Sequence, residues 1–490
     1  MPERPPNILV FMTDQEQAQV VHPDHPCQTP NATRLAESGV LFTRANCPTA
    51  HCCPSRATFM TGLAPSRHGI YNNVSNPMAI HRALNDGVGM FSQALRAAGY
   101  HLAYAGKWHV SDAENPGDRG WDEIMVTAGK GSYMDRSIED WRRRATEPQE
   151  TGPRPRGVIR RPGWGDYRLY GTRPDSGDTG YEDVRDCATV SAGIRALGDL
   201  AKQDAPWFLF IGPNGPHDPF IIPERFASIY DPREIDLPPS FADDLEDKPR
   251  VYQRMRRQYW GQLSKDEVRE SIQHYWGYCT MMDCMLGEVL DALDATGQAD
   301  DTLVFFMSDH GDYVGAHGLY LKGVPAFKEA YRIACIARWP SGIAHPGREV
   351  DEFVTLADFR PTFEEVAGLT PADDLTGRSL APFLRGETPA DWPDAFHSQF
   401  NGVELYYTQR VVETKTHKYV YNGFDFDELY DLVDDPHEMV NRWNDPAIED
   451  VKHELVRKMW RYAGQERDII FNPYPTTALA PWGPADALRE

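Results

Sequence analysis

Four short runs of apolar residues, rich in β-branched and aromatic side chains, recur along the chain, and each ends at polar residues. They read NILVFMTDQ from residue 7, HLAYAGKWH from residue 101, WFLFIGPNGPH from residue 207 and TLVFFMSDHGD from residue 302. A continuous apolar run of this length is typical of a parallel strand that is buried on both faces. We therefore predict four buried strands at these positions.

Helical patterns separate these runs. Apolar residues recur at helical spacing in residues 91–98, which Gly99 would end, and again in residues 282–293. Strands that alternate with helices are typical of a doubly wound sheet. The pattern therefore predicts an α/β fold.

A shift in composition near GETPADWPDA predicts a domain boundary at about residue 390, with a catalytic domain over residues 1–389 and a subdomain over residues 390–490. Beyond it, ELYYTQRVVET and HKYVYN predict antiparallel strands, and residues 451–462 predict an amphipathic helix. Residues 113–185 lack periodicity and are interpreted as long excursions over the sheet.

The tail after residue 466 is apolar and rich in proline. It is a poor free end, so we expect it to pack on a neighbouring subunit or back over the same domain. The first alternative leads us to expect a homo-oligomer, a dimer or a tetramer.

The charge balance and the cysteine count narrow the class of protein. The 490 residues carry a formal net charge of −23, which disfavours nucleic acid and anionic membrane as partners and requires an anionic substrate to be attracted locally. The opening apolar run is too short for a secretory or membrane segment, so we expect a cytoplasmic protein. Eight scattered cysteines predict reduced thiols.

Polar residues follow each of the four predicted strands. In an open α/β sheet, ligands bind outside the carboxyl ends of the strands, so these side chains are expected to meet in one crevice. Any one of them alone also fits a role in a turn, the core or the surface, but together they suit metal binding and acid–base chemistry. The residues are Asp14 and Gln15, Lys107 and His109, His217, and Asp309 and His310.

The segment TAHCCPSRATFMTG at residues 49–62 sets two cysteines side by side. Pro54 fits the first turn of a helix and Gly62 fits its end. Cys52 would then lie at the start of a helix, where free N–H groups and the helix dipole favour an anion. Such a cysteine could be a thiolate nucleophile, and a structural role also fits.

The order Cys52, any residue, Pro54, Ser55, Arg56, followed by Thr-Gly, resembles the signature of the type I sulfatases in the alkaline phosphatase superfamily. The segments GKWH, PHDPF and SDHGDYVGAHGLYLKG extend the resemblance over most of the chain. It implies a large mixed, mostly parallel sheet sandwiched by helices, with a smaller C-terminal α+β subdomain on an antiparallel sheet. It also implies that a separate formylglycine-generating enzyme converts Cys52 to formylglycine (3-oxoalanine), with Cys53 at the variable position.

The resemblance also implies a divalent metal site. Gln15 and His310 stand where the commonest sulfatase pattern has an aspartate and an asparagine, so Ca²⁺, Mn²⁺ and Mg²⁺ remain candidates, with Zn²⁺ as a further one. The implied ligands are Asp14, Gln15, Asp309, His310 and the converted residue at position 52.

Further roles follow from the same resemblance. Arg56 and Lys107 would anchor the hydrated aldehyde, and His109 would take a proton from it. Lys322 and His217 would hold the sulfate and protonate the leaving oxygen. Asn73 would contact sulfate oxygens, although a role as a turn residue fits it equally well.

Three functions stay open at this point. The first is a sulfuric ester hydrolase acting on aryl or small alkyl sulfates, and the second is a phosphonate monoester or phosphodiester hydrolase of the same superfamily. Lys107 and His109 favour the first, because the phosphonate enzymes resemble this chain elsewhere but carry Tyr and Thr at these two positions. The third is a binding protein in which Cys52 is never converted. Four aromatic residues are candidates for the pocket wall, although core or surface roles are favoured for each: Tyr104, Trp108, Tyr133 and Trp164.

Overall fold

A computed structural model describes residues 4–74, 79–130, 138–146, 152–161, 165–402, 406–423, 425–479, 482–485 and 487. The strands are β1 Asn7–Thr13, β2 Val40–Phe42, β3 Ala45–Asn46, β4 His101–Lys107, β5 Asp122–Thr127, β6 Val158–Ile159, β7 Tyr167–Arg168, β8 Tyr170–Arg173, β9 Trp207–Gly212, β10 Phe220–Pro223, β11 Thr302–Ser308, β12 Cys335–Arg338, β13 Arg348–Val350, β14 Val354–Thr355, β15 Ala395–Gly402, β16 Tyr406–Thr414, β17 His417–Asn422 and β18 Glu428–Asp431.

Helices connect the strands, together with short 3₁₀ turns. They are α1 Pro30–Glu37, α2 Cys52–Thr61, α3 Pro65–His68, α4 Phe91–Ala97, α5 Ile138–Thr146, α6 Arg185–Leu200, α7 Glu224–Ala227, α8 Arg250–Gln258, α9 Lys265–Ala295, α10 Lys328–Tyr331, α11 Phe359–Val366, α12 Ala381–Leu384, α13 Glu449–Gln465 and α14 Pro473–Ala478. In the described ranges, none of these helices combines the length and the apolar character that crossing a bilayer requires.

The large sheet has the strand order β13-β2-β12-β11-β1-β9-β4-β5. Its central strands are parallel: β1 pairs with β11 and β9, and β4 pairs with β9 and β5. Strand β12 runs antiparallel to β11 and β2. The prediction of a large mixed, mostly parallel sheet is confirmed, and the four apolar runs are its neighbouring strands β4, β9, β1 and β11.

Helices cover the central strands on both faces, which explains their unbroken apolar sequences. Phe208 of β9 stacks on Phe91 of α4, with ring centroids 5.3 Å apart. Ile211, three residues further along β9, lies against Gly193 of α6. Because successive strand residues point to opposite faces, α4 and α6 pack on opposite sides of the sheet.

The C-terminal sheet has the order β15-β16-β17-β18 and is antiparallel throughout. Helix α13 packs on it, and Tyr419, Leu429, Met459 and Trp460 belong to their shared apolar core. The predicted strands and helix of this region are therefore confirmed. The domain boundary at residue 390 stays a prediction.

Strand β5 was not among the predicted strands, and the structure also shows where the described part of the tail packs. Strand β5 lies in the stretch interpreted as excursions and pairs with β4 at the edge of the large sheet. Its residues are exposed or half-buried, so it lacks the continuous apolar run of the inner strands. In the described part of the tail, the Trp482 carbonyl oxygen accepts a hydrogen bond of 2.7 Å from the Trp460 indole. This part of the tail therefore packs back on α13.

A buried ion pair ties the start of the tail to the small sheet. Arg410 Nη2 lies 2.7 Å from Asp468 Oδ1, and a second bond joins Arg410 Nε to Oδ2. Both side chains are buried. We predict that Asp468→Ala lowers the free energy of unfolding by about 3–5 kcal/mol, because it leaves a buried guanidinium unpaired.

Chemical denaturation of the purified variant measures this loss. Asp394→Ala is the matched control, because Asp394 pairs with Lys458 at the surface and is 78% exposed. Loss of an exposed pair is expected to cost less than about 1 kcal/mol. Equal losses in the two variants would contradict the prediction.

Candidate active site

Helix α2 begins at Cys52, as the sequence predicted. His51 before it has extended backbone, Pro54 lies in the first turn, and the Gly62 N–H donates to the Thr58 carbonyl oxygen over 2.8 Å. Gly62 has a φ of 67°, a left-handed conformation that glycine adopts without strain. All residues of α2 are buried, so its first turn lies inside the protein against the strand ends.

Cys52 lies where β1 and β11 end. Its Sγ is 3.1 Å from His310 Nε2 and 3.8 Å from Asp14 Oδ1. His310 Nε2 is in turn 3.7 Å from Asp14 Oδ1 and 3.7 Å from Asp309 Oδ1. One potential ligand atom from each of the four residues lies within 4.8 Å of the others. The structure thus brings four of the predicted site residues around one point.

Arg56 holds the two carboxylates of this cluster in place. Its Nε is 2.7 Å from Asp309 Oδ2, its Nη2 is 3.3 Å from Asp14 Oδ2, and its Nη1 donates to the Lys107 carbonyl oxygen over 2.9 Å. The Lys107 ammonium also pairs with Asp14 Oδ2. The cations therefore take the Oδ2 atoms, and the Oδ1 atoms face Cys52 and His310.

Protonation states in the cluster suit cation binding. Burial would raise the pKa of Asp14, but the positive charges of Lys107 and Arg56 lower it well below its ordinary value. Burial lowers the pKa of His310, which favours the neutral ring. Its Nδ1 donates to the Gly311 carbonyl oxygen over 2.9 Å, so the neutral ring presents an unprotonated Nε2 to the cluster.

These donors fit a divalent metal. Two carboxylates and one imidazole nitrogen are ligands that Mn²⁺, Mg²⁺ and Zn²⁺ accept, and the carboxylates also suit Ca²⁺. The hydrogen bond to the second ring nitrogen of His310 orients the imidazole, as is usual for histidine ligands. Asp14, Asp309, His310 and the residue at position 52 are therefore the side chains that could hold the ion.

A second polar group adjoins the cluster. Lys322 Nζ is 2.9 Å from His217 Nε2 and also binds the Gln15 side-chain oxygen. His217 Nδ1 donates to the Asp218 carbonyl oxygen over 2.7 Å, so Nε2 of the neutral ring accepts from Lys322. The structure therefore places the predicted pair Lys322 and His217 side by side.

The side chain of Gln15 belongs to the same group. Its Nε2 donates to Asp218 Oδ1 over 3.0 Å and to Asp312, while its oxygen faces Lys322. Its backbone N–H donates to Asp309 Oδ1 over 3.1 Å. A role of Gln15 as a metal ligand stays a prediction, because these contacts are to protein groups.

His109 and Asn73 complete the predicted set. His109 is 5% exposed, and burial together with the charge of Lys107 lowers its pKa well below its ordinary value. Its ring is therefore neutral and can accept a proton. Asn73 Oδ1 accepts a hydrogen bond of 3.0 Å from the Cys53 N–H, which fixes Asn73 at the start of α2.

The backbone is strained where two of the strands end. Gln15 follows β1 with a φ of 71°, and His109 lies just after β4 with a φ of 48°. Left-handed backbone costs about 1–2 kcal/mol for a residue with a Cβ atom. Such strain is typical of functional sites, where the surrounding structure enforces it.

Sequence reasoning missed two residues of this network. Asp218 accepts hydrogen bonds from Gln15 and from the Tyr167 hydroxyl. Asp218 directly follows His217, and a carboxylate beside a predicted acid–base residue is a signal that could have identified it. Tyr167 lies in a stretch without periodicity and offers no such signal. Tyr104 and Trp108 are fully buried in the core. Tyr133 and Trp164, the other two candidates for the pocket wall, lie outside the described residues.

Comparisons with known proteins identify the family of this chain. Residues 6–369 match the family model described as sulfatase, and residues 315–465 match the model described as N-sulphoglucosamine sulphohydrolase, C-terminal. The uncharacterized sulfatase YidJ of Escherichia coli (strain K12) is 27% identical over 97% of this chain and 90% of its own length. A choline-sulfatase of Rhizobium meliloti (strain 1021) is 27% identical over 90% of this chain and 83% of its own length.

Solved structures share the fold. The phosphonate monoester hydrolase of Agrobacterium radiobacter superposes with a TM-score of 0.75 at 24% identity, covering 95% of this chain and 97% of that chain. At this identity the likeness concerns the fold. The large mixed sheet and the small antiparallel sheet are therefore an architecture found in known enzymes.

The cluster geometry leads to a prediction about metal binding. Asp309→Ala removes one carboxylate from the group of potential ligands and breaks its ion pair with Arg56. We expect it to lower the affinity for Mn²⁺ or Mg²⁺ at least about 10-fold, because loss of one supporting group costs metal sites 10–100-fold. Equilibrium dialysis followed by elemental analysis measures the bound metal.

Asp358→Asn is the control for this experiment. Asp358 is a buried aspartate outside the cluster that accepts backbone hydrogen bonds from Thr355 and Arg378. Its substitution is expected to leave the stoichiometry of bound metal unchanged. Full metal content in Asp309→Ala would show that the ion binds elsewhere or that this carboxylate is not a ligand.

Proposed function

Because the chain belongs to the sulfatase family of the alkaline phosphatase superfamily, we propose that it hydrolyses aryl or small alkyl sulfate monoesters. The observation that carries this proposal is the pair Lys107 and His109 at the end of β4. Lys107 pairs with Asp14 inside the cluster, and the charge of Lys107 acts on the His109 ring. A cation and a neutral base at the same strand end suit the transfer of an anionic group.

We propose that a separate formylglycine-generating enzyme converts Cys52 to formylglycine. Cys52 is 1% exposed, so the converting enzyme would have to reach it before the chain has folded. The hydrated aldehyde would supply two hydroxyls on one carbon, one to attack sulfur and one to expel sulfate afterwards. A serine or cysteine side chain lacks the second hydroxyl.

A divalent metal would bind among Asp14, Asp309, His310 and position 52, with Gln15 as a further candidate ligand. Once bound, it would neutralise negative charge on the substrate and lower the pKa of the attacking hydroxyl. Arg56 and Lys107 would add fixed positive charge on the other side of the carboxylates. Because these cations are held by ion pairs before substrate arrives, they need no reorganisation during the reaction.

The remaining residues would move protons. Lys322 carries three N–H donors, and burial opposes its charge, but Cys52, Asp218 and Asp14 raise its pKa above the ordinary value. It would bind sulfate oxygens together with Asn73. His217 Nε2 accepts a hydrogen bond from Lys322, and the Lys322 ammonium would supply the proton that this pair passes to the leaving oxygen. His109, neutral in the buried site, would take the proton when sulfate is expelled.

The relatives bear on the identity of the alcohol. The choline-sulfatase relative supports a small alkyl sulfate, and the sulfatase family model supports sulfate esters in general. The similarity to a phosphonate monoester hydrolase structure keeps phosphonate monoesters and phosphodiesters as the alternative. A protein that only binds such anions would retain an unconverted cysteine.

We further propose that the chain works in the cytoplasm as a homo-oligomer, with neither nucleic acid nor membrane as a partner. The formal net charge of −23 supports the exclusion of polyanionic partners.

The proposed nucleophile can be tested by substitution and by mass spectrometry. Cys52→Ala should abolish turnover of phenyl sulfate, because no residue replaces the hydroxyls of the hydrate. Mass spectrometry of a peptide spanning residues 45–56 from protein made in its native host should show the aldehyde in place of the thiol. An unmodified Cys52 in an active enzyme would contradict the proposed nucleophile, and an inactive unmodified protein would favour the binding-protein alternative.

The choice between sulfate esters and phosphorus esters can be tested by comparing substrates. With metal-reconstituted, aldehyde-bearing protein, phenyl sulfate should show a higher kcat/KM than phenyl phosphonate and a phosphodiester. The double variant Lys107→Tyr, His109→Thr, which introduces the residues associated with the phosphonate enzymes, should lower the ratio of sulfate to phosphonate kcat/KM at least about 10-fold. A wild-type preference for either phosphorus ester would reverse the proposal.

A further inference from the structure

His51, the residue directly before Cys52, has no assigned role in the proposed mechanism. It is 5% exposed, and neither Nδ1 nor Nε2 has a hydrogen-bonding partner among the residues that the structure describes. A buried polar group without a partner is destabilising, so such groups in native proteins call for an explanation. One explanation is a bound ligand that supplies the missing partner.

The ring lies among the residues proposed to bind sulfate. Lys322 and His310 are charged or polar neighbours whose electrostatic effect reaches the imidazole. The Asn73 side chain is close enough to act on the ring, but its geometry does not satisfy either ring nitrogen. Nε2 is 3.8 Å from the position that a Cβ atom on Gly323 would take. Because residue 323 is glycine, the space between the imidazole and the backbone next to Lys322 stays free of a side chain.

The orientation of the ring is fixed relative to the nucleophile. The His51 carbonyl oxygen accepts the Ser55 N–H over 3.1 Å, which makes His51 the N-cap residue of α2. On its other side the ring packs against Phe400 of β15, with centroids 5.7 Å apart. A side chain held in this way can bind a group at Cys52 without losing much conformational freedom.

An imidazole carries at least one N–H in either of its protonation states, so His51 can donate a hydrogen bond in both. A purely apolar role beside Phe400 would leave two buried nitrogens unsatisfied. The oxygens of a sulfate ester held by Lys322 and Asn73 are acceptors in the same pocket.

We propose that His51 is a substrate-binding residue whose imidazole N–H donates a hydrogen bond to an oxygen of the sulfate ester. The inference rests on the proposed function and extends it, because it adds a donor from the residue that precedes the nucleophile. It predicts that binding of substrate and of the product, inorganic sulfate, both depend on this N–H.

The test compares His51→Phe with His51→Gln. Phenylalanine keeps the packing against Phe400 and removes the donor, whereas glutamine restores an N–H donor near the position of Nε2. We expect His51→Phe to lower kcat/KM for phenyl sulfate roughly 10–100-fold and to weaken inhibition by inorganic sulfate. His51→Gln should recover a measurable part of both.

His397→Phe is the matched control. His397 lies on β15, packs against the Tyr462 ring at 4.2 Å between centroids and has a buried Nδ1 without a partner in the described chain. The His397→Phe substitution should leave kcat/KM and inhibition by sulfate unchanged. For every variant, peptide mass spectrometry checks that Cys52 is converted to the same extent, and thermal unfolding checks the fold.

The outcomes separate this inference from the proposed function. If wild-type protein turns over phenyl sulfate and His51→Phe equals it in kcat/KM and in sulfate inhibition, the inference is overturned and the proposed function stands. If wild-type protein turns over no sulfate ester, the proposed function fails. The inference is then decided by the increase in Tm that inorganic sulfate produces. If His51 binds sulfate, this increase should be lost in His51→Phe. If the increase persists in His51→Phe, His51 only packs and the inference is overturned.

Discussion

The site depends on the contacts that the guanidinium of Arg56 makes. It binds Asp309 at the end of β11, Asp14 after β1 and the carbonyl oxygen of Lys107 at the end of β4. One side chain of α2 thus fixes three strand ends relative to Cys52. Because Arg56 and Lys107 occupy the Oδ2 atoms, both carboxylates present Oδ1 to the centre. A planar group with several donors suits this task, whereas a lysine could not bind all three partners in fixed directions.

The second cysteine of the pair has a structural explanation. Cys53 Sγ accepts the Val74 N–H over 3.3 Å, and the Cys53 N–H donates to Asn73 Oδ1. The residue at the variable position therefore anchors the segment that carries Asn73. The resemblance placed Cys53 at the variable position of the motif, and the structure shows that Cys52 faces the cluster while Cys53 bonds the neighbouring loop.

The parts of the fold and site that could be predicted share one property: they follow from local pattern. Each inner strand is an unbroken apolar run, and parallel strands bring their ends to one edge, so the meeting of Asp14, Asp309 and His310 was foreseeable. The contacts of the Gln15 side chain and the environment of His51 depend on loops that fold over that edge. Strand β5 was missed because an edge strand that is exposed on its faces carries no continuous apolar signal.

The net charge of the whole chain repels an anionic ester, whereas the charges of the proposed site would attract it. A formal net charge of −23 repels anions at long range, but this field is screened beyond about 8–10 Å at physiological salt. Within the site, the carboxylates of Asp14 and Asp309 are matched by Arg56 and Lys107, and Asp218 lies 3.9 Å from Lys322, so the proposed metal would supply the net positive charge. An anion that reaches the pocket would then meet net attraction, and the donor that we propose at His51 would add direction to that attraction without requiring further charge.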